Sequence, residues 1–273
     1  MQASPVWTPP SGTLGGIVAE ARDRAAALRS RQSELSRLAA SAAAATSLSA
    51  ALRRASVGVI AEVKRRSPSK GWINPSMSAT EQAQAYERGG AAAISVLTEP
   101  DHFGGSADDL VAVRSAVGVP VLKKDFHVDP IQLVEAKALG ASAALLIVRA
   151  LAPAAFVEMI AAAGELGLEV LVEIRDEDEL SRALEAGARM IGINNRNLET
   201  LVIDASTSQR LLGLLPRSVV AVAESGVAGR ADVERLARAG ADAVLVGSTV
   251  SAAADPALAV RELSTVARII RER

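Results

Sequence analysis

From residue 56 onward, short apolar runs alternate with amphipathic stretches of similar or greater length, with few residues between them. Runs at 59–64, 91–97, 119–124, 141–148, 168–173, 190–194, 219–224 and 243–246 are dominated by Val, Ile, Leu and Ala. That is the pattern of strands covered on both faces. The stretches at 80–88, 108–117, 130–139, 153–166, 176–186, 206–214, 230–239 and 256–271 have helical periodicity. Ser78 or Thr80 serves as cap of the first of these, and Pro130 opens another at its first turn, where its missing N–H costs nothing. Gly90-Ala91, Gly140-Ala141, Gly187-Ala188 and Gly240-Ala241 recur about every fifty residues, each ending a helix just before an even-numbered strand. Gly118 and Gly167 stand in similar positions before odd strands.

Eight serial strand–helix units make this an α/β chain, and right-handed crossovers close such a series into a (β/α)8 TIM barrel. An open doubly wound sheet is the competitor. It more often carries a glycine-rich turn after its first strand, where this chain has Lys64-Arg65-Arg66-Ser67-Pro68-Ser69. The expected organisation is a single domain, with residues 1–55 a helical extension and 56–273 the barrel proper. Within the extension, 14–28 is an amphipathic helix carrying Arg22 and Arg24, followed by Arg29, and 38–52 is Ala- and Ser-rich, either helix or ordered loop. It either packs on the barrel wall, the simpler expectation, or forms a lid over the strand ends.

Composition narrows the function. Aromatic residues are 2% of the chain, so the core must be built from Ala, Val, Leu and Ile. The formal net charge is −1 and no block of like charge occurs, which disfavours nucleic acid and membrane surfaces as partners. The absence of cysteine removes disulfides, thiolate metal sites and a cysteine nucleophile. Residues 1–13 do not form a secretory signal, and the strongly apolar run at 141–148 is too short to span a bilayer. A soluble, cytoplasmic, monomeric protein is expected.

Against that apolar background, four strands carry charge near their C-terminal ends: Glu62 and Lys64, then Lys124, Glu173 and Glu224. Ionised groups in a sheet interior cost several kcal/mol unless paired or solvated, so four recurrences point to one gathering place. In a barrel that place is the C-terminal face. Side chains alternate along a strand, so Glu62 and Lys64 share a face, as do Leu122 and Lys124, with Lys123 turned away. The plainer alternative is a structural ion-pair cluster at the barrel mouth; convergence from separate strands favours proton-transfer chemistry. Glu224-Ser225-Gly226 and Val246-Gly247-Ser248 follow strands seven and eight, where backbone N–H groups make a phosphate cradle in this architecture. Asn194 and Arg196, after strand six, suit hydroxyl and carboxylate recognition, or are simply part of a solvated loop. His102 and His127 lack metal-ligand spacing and are expected to be ordinary loop histidines, with no metal site.

These motifs together resemble the indole-3-glycerol-phosphate synthase family. The resemblance lies in Ile60-Ala61-Glu62-Val63-Lys64 with Ser67-Pro68-Ser69, Ser95-Val96-Leu97-Thr98-Glu99 with Phe103-Gly104-Gly105-Ser106, and Leu122-Lys123-Lys124-Asp125-Phe126. It continues through Leu145-Leu146-Ile147-Val148, Leu171-Val172-Glu173, Ile191-Gly192-Ile193-Asn194-Asn195-Arg196-Asn197-Leu198, Ala223-Glu224-Ser225-Gly226-Val227 and Val246-Gly247-Ser248. It spans all eight strand ends in order, while the first fifty residues match only in general character. The resemblance implies a cofactor-free carboxy-lyase of tryptophan biosynthesis, acting on a small sugar phosphate with an anthranilate group. It implies that Lys124 is the general acid and Glu173 the acid–base carboxylate, with Lys64, Glu62, Asn194 and Glu224 completing the polar ring. Ser225, Gly226, Gly247 and Ser248 are then the phosphate binders, helped by Lys64. Arg196 and Ser67 face the anthranilate carboxylate, and Pro68, Phe103, Phe126, Leu145 and Leu198 wall the ring. Asn195, Asn197 and Gly104 depart from the family's common pattern without removing any of these groups. The isomerase acting one step earlier fits the lysine-bearing first and third strands poorly. A barrel kept only as an interaction partner is expected to have lost one of Glu62, Lys64, Lys124 or Glu173, and all four are present.

Overall fold

The structure is a computed structural model, and it describes residues 7–271. The eight apolar runs form strands β1 (Gly58–Val63), β2 (Ala93–Leu97), β3 (Val121–Lys124), β4 (Ala143–Ile147), β5 (Glu169–Ile174), β6 (Met190–Asn194), β7 (Val220–Glu224) and β8 (Ala243–Val246). All neighbours are parallel, and β1 pairs with β8 from Gly58↔Ala243 to Ala61↔Val246, closing the barrel. The sequence-predicted strand boundaries run up to two residues long at their N-terminal ends; Ala91, Val119 and Ala141 precede the ladder.

The glycine-alanine repeat has one cause. Gly90, Gly140, Gly187 and Gly240 have φ of 90°, 82°, 82° and 100°, a left-handed region that L-residues rarely adopt. In each case the alanine that follows donates its N–H back to a helical carbonyl at 3.0 Å (to Tyr86, Ala136, Ala183 and Leu236), which ends the helix and aims the chain into the next strand. Gly167 ends its helix the same way, with Leu168 bonded to the Ala163 carbonyl at 2.9 Å. Gly118 does not: its N–H goes instead to the Glu87 carboxylate at 2.8 Å. Some helix starts are capped by side chains, Ser78 accepting from the Glu81 N–H and Asp129 forming a reciprocal capping box with Gln132. The last barrel helix is shorter than expected, Pro256–Ser264 rather than reaching 271. The Ile269 and Ile270 side chains lie exposed, so nothing apolar draws this segment on as helix.

Two apolar layers hold the barrel. One lies between strands and helices; the other fills the barrel itself with Ile60, Leu122, Leu145, Leu171, Val222 and Leu245. The extension closes that inner core at both ends. Its helices are α1 (Gly12–Leu28), α2 (Gln32–Ser41) and α3 (Leu48–Leu52). Leu48 and Leu52 of α3 are fully buried against strand starts such as Ala93, Met190 and Ala243. Glu169, the first residue of β5, holds α3 in place by accepting from the Leu48 and Ser49 N–H groups at 2.6 and 3.0 Å. At the opposite end, Leu14, Ile17 and Val18 of α1 join the same core from above the strand tips. The extension is therefore a lid as well as a packing element, the less simple of the two expectations. No helix among the described residues is long and apolar enough to cross a membrane.

Candidate active site

Alternation along the strands puts one charged side chain above each odd-strand core residue: Glu62 above Ile60, Lys124 above Leu122, Glu173 above Leu171 and Glu224 above Val222. They form the topmost side-chain layer of the barrel, where alternate strands contribute the four members of a layer. The Lys124 Nζ lies 3.7 Å from Glu173 Oε2 and 3.8 Å from Glu224 Oε2, too long for a direct hydrogen bond. Lys64, one step above Glu62, bonds Glu62 Oε1 at 2.9 Å, and its ammonium sits 5.8 Å from the Phe103 ring centroid. Asn194 donates to Glu173 Oε1 at 3.0 Å and accepts from the Arg196 N–H at 2.9 Å.

Three carboxyl groups and two ammonium groups share this layer, so one negative charge is in excess. Burial alone would push the Glu62 carboxyl up, but Lys64 and Lys124 together hold it below its ordinary value. Burial would lower the Lys124 ammonium, yet Glu173, Glu224 and Glu62 outweigh it and keep it charged. Glu224 takes the excess: burial first, then the neighbouring Glu173, push it up to about 8, so it holds a proton at neutral pH. Glu224 Oε1 and Glu173 Oε2 are both buried and make no hydrogen bond among the described residues. Glu173 Oε2 faces the Lys124 ammonium, and Glu224 Oε1 is turned toward Gly192 of β6.

A cavity of about 270 Å³ lies above this layer. All the residues singled out in the sequence line it: the six charged and amide groups, Ser67, Pro68, Phe103, Phe126, Leu145, Arg196 and Leu198, and the Ser225, Gly226, Gly247 and Ser248 turns. One side is apolar, with the Phe103 and Phe126 rings 6.1 Å apart. The opposite side is the pair of loops after β7 and β8, where Ser225 and Gly226 have φ of 65° and 83°. A positive φ at a residue other than glycine is a strained conformation, and at Ser225 it points to function. Gly247 also makes room for a neighbour, since a Cβ there would collide with the Glu62 carboxylate. Arg196 donates to the Leu201 carbonyl at 2.9 Å and has no carboxylate within 4 Å among the described residues.

Sequence reasoning did not name the lining from α1, Thr13, Leu14 and Ile17, because an amphipathic face does not say which surface it covers. It also gave Asn195 no role. The Asn195 side chain donates to the Ser225 carbonyl at 2.9 Å and accepts from the Ser208 N–H at 2.9 Å, tying the loop after β6 to the loop after β7. His127 is not an ordinary loop histidine: it is buried, its Nδ1 lies 2.8 Å from the Leu145 carbonyl, and burial with Lys123 beside it pushes it down to about 3. His102 Nε2 meets Glu20 of α1 at 2.7 Å. Glu99 lies close to both, but its carboxylate already accepts from the Asp101, His102 and Phe103 N–H groups. This trio therefore latches α1 to the loop carrying Phe103.

The sequence profile described as Indole-3-glycerol phosphate synthase matches residues 14–263. This chain belongs to the indole-3-glycerol phosphate synthase family. It is 48% identical over 255 residues to the Streptomyces coelicolor protein named indole-3-glycerol phosphate synthase 2, covering 93% of this chain and 99% of that one. It is 50% identical over 252 residues to the Mycobacterium leprae indole-3-glycerol phosphate synthase, covering 92% of each. Among solved structures, 3-hexulose-6-phosphate synthase from Salmonella typhimurium aligns over 76% of this chain and 97% of its own, with a TM-score of 0.60 at 20% identity. That likeness speaks to the barrel alone. Family membership and the geometry meet at the strand tips, since every motif of the resemblance contributes lining to the same cavity.

Proposed function

We propose that this protein is an indole-3-glycerol phosphate synthase, a carboxy-lyase that closes the indole ring of 1-(2-carboxyphenylamino)-1-deoxyribulose 5-phosphate. The observation that carries this is that a charged Lys124, without a direct hydrogen bond to any carboxylate, shares one cavity with an apolar slot and the two glycine turns after β7 and β8. The substrate has the same three parts: an aromatic ring, a carbonyl and a phosphate. Its phosphate would sit at Ser225, Gly226, Gly247 and Ser248, with Lys64 nearby, and its ring between Pro68, Phe103, Phe126, Leu145 and Leu198. Arg196 and Ser67 would take the ring carboxylate. Arg196, with no carboxylate partner of its own, has the planar donor fork that such a group fits.

Held this way, the ring carbon bearing the carboxylate faces the ribulose carbonyl carbon. Proximity of this kind is worth up to roughly 7–11 kcal/mol in favourable cases. As the carbon–carbon bond forms, Lys124 gives its proton to the carbonyl oxygen, which becomes a hydroxyl. Carbon dioxide then leaves from the ring carbon that made the attack, returning the electron pair of the broken carbon–carbon bond to the ring. Loss of the hydroxyl with a proton from the neighbouring methylene carbon, together one water, completes the indole, with Glu173 moving the proton and Asn194 holding Glu173 in place. Incubation with the carboxyphenylamino deoxyribulose phosphate tests the proposal: indole fluorescence should grow with time. No fluorescence from folded protein at millimolar substrate would overturn it.

A further inference from the structure

Strand β6 has a glycine where an inward side chain should fill the barrel, Gly192 between Ile191 and Ile193. Glycine inside a strand weakens it and marks a close approach by another group. Here the approaching group is Glu224. A Cβ on Gly192 would collide with Glu224 Oε1, would lie 3.1 Å from Glu224 Cδ, and would touch Leu171 Cδ1 at 3.4 Å. Leu171 is fully buried, so the carboxyl could not retreat downward into the barrel. Gly247 and Glu62 repeat the arrangement one strand pair further round, β8 leaving room for a carboxylate of β1. Ser95 of β2, level with Glu62 in the ladder, is also small.

We infer that Gly192 is a positioning residue, whose missing side chain is the niche that holds the Glu224 carboxyl beside Lys124 and Glu173. Three of the four even strands, β2, β6 and β8, withhold bulk beside an odd-strand carboxylate, whereas β4 sets Ile147 level with Glu173. With a methyl group at 192, the Glu224 side chain must rotate toward the open cavity. It would leave Lys124, now 3.8 Å away, and enter the space meant for substrate. The consequence for turnover depends on the function proposed above; the consequence for Glu224 itself does not.

Gly192→Ala, Glu224→Asp and the double variant separate the two, with thermal unfolding as a check on folding. The first readout is a carboxyl ¹³C NMR titration of substrate-free protein. In Gly192→Ala the Glu224 midpoint should fall by about one unit or more, because relocation to the wet mouth removes the burial that raises it. An unchanged Glu224 titration in folded Gly192→Ala overturns the inference. The second is kcat: the added methyl should cost about a hundredfold beside Glu224, as a misplacement near 1 Å can. It should cost less than about threefold in Glu224→Asp, whose shorter carboxyl stops short of the niche. Equal cost in both backgrounds overturns the inference. If Gly192→Ala does not fold, Gly192→Ala/Glu224→Ala should, since the colliding group is gone; failure of both has the same negative meaning. Wild-type protein without turnover would sink the proposed function and leave the titration to decide the niche.

Discussion

Lys123 and Lys124 are consecutive on one strand, the first buried and the second half-buried, both charged, yet they stand in opposite situations. Lys123 points outward between barrel and helices, with Nζ 3.1 Å from Glu135, 3.3 Å from Asp125 and 3.4 Å from His127 Nε2. Its donors are spent on the protein. Lys124 points inward, and its nearest carboxylate oxygens are 3.7 and 3.8 Å away, with a cavity above. Its charge is balanced while its donors stay available. Burial of a lysine does not by itself distinguish a structural ion pair from a catalytic acid; what separates them is whether hydrogen bonds as well as charge are satisfied.

Substitution of each lysine in turn is the strongest way to break this contrast. Lys124→Ala should lower kcat by about a hundred- to ten-thousandfold, the usual worth of a positioned general acid, while substrate binding largely survives. A fluorescence assay alongside a binding titration reads both, and unchanged turnover would remove Lys124 from the mechanism. Lys123→Ala should do the reverse. It strands Asp125 and Glu135 in a buried position, a change that typically costs about 3–5 kcal/mol of stability by urea unfolding. The kcat of the protein that remains folded should stay within about threefold. A Lys123→Ala protein of normal stability but without activity would reverse the two roles.

The same pair shows what could be read before the structure. Strand alternation alone puts Lys124 inside and Lys123 outside, and the glycine-alanine punctuation gives the order of the eight strands, because both depend on neighbours in sequence. The fate of Lys123 was not legible, since Glu135 lies on the following helix and only the crossover brings it back. His127 was misjudged for the same reason: its partner is the Leu145 carbonyl of β4. Gly192 did carry a signal, as a glycine inside an apolar strand, but its meaning needs the reach of Glu224 from β7. The α1 lining was hidden because Leu14 and Ile17 look like any amphipathic face. Only docking of the Ser11 and Thr13 N–H groups on Glu199, at 2.7 and 3.2 Å, shows where that face lies.

Arg196 sharpens the comparison from the ligand's side, being a second cation whose carboxylate partner the protein does not supply. Arg196→Ala should raise KM by about tenfold or more, the loss of a hydrogen bond between charged groups being about 1.5–3 kcal/mol. A non-reactive analogue lacking the ring carboxylate should bind variant and wild type alike. If analogues with and without that carboxylate weaken equally, the effect comes from the loop that Arg196 braces through the Leu201 carbonyl.

The smallest effect is a pH dependence, and it has opposite signs on the two sides of β3. Around Lys123, burial pushes His127 down to about 3, so its folded form resists protonation and stability is lost as pH falls below the ordinary imidazole range. Around Lys124, Glu224 is pushed up from 4.5 to about 8. Between those values the folded protein holds a proton that the unfolded chain has released, so stability declines as pH rises toward 8 and levels off beyond it. Glu224→Gln removes that proton exchange. The Tm difference, variant minus wild type, should therefore grow more positive from about pH 5 to about pH 8 and then flatten. Glu179, also raised, to about 7, acts in both proteins and cancels from the difference. A flat difference over this range would mean that Glu224 is ionised in the folded protein as in the unfolded chain, and would overturn its assignment as the proton holder of the layer.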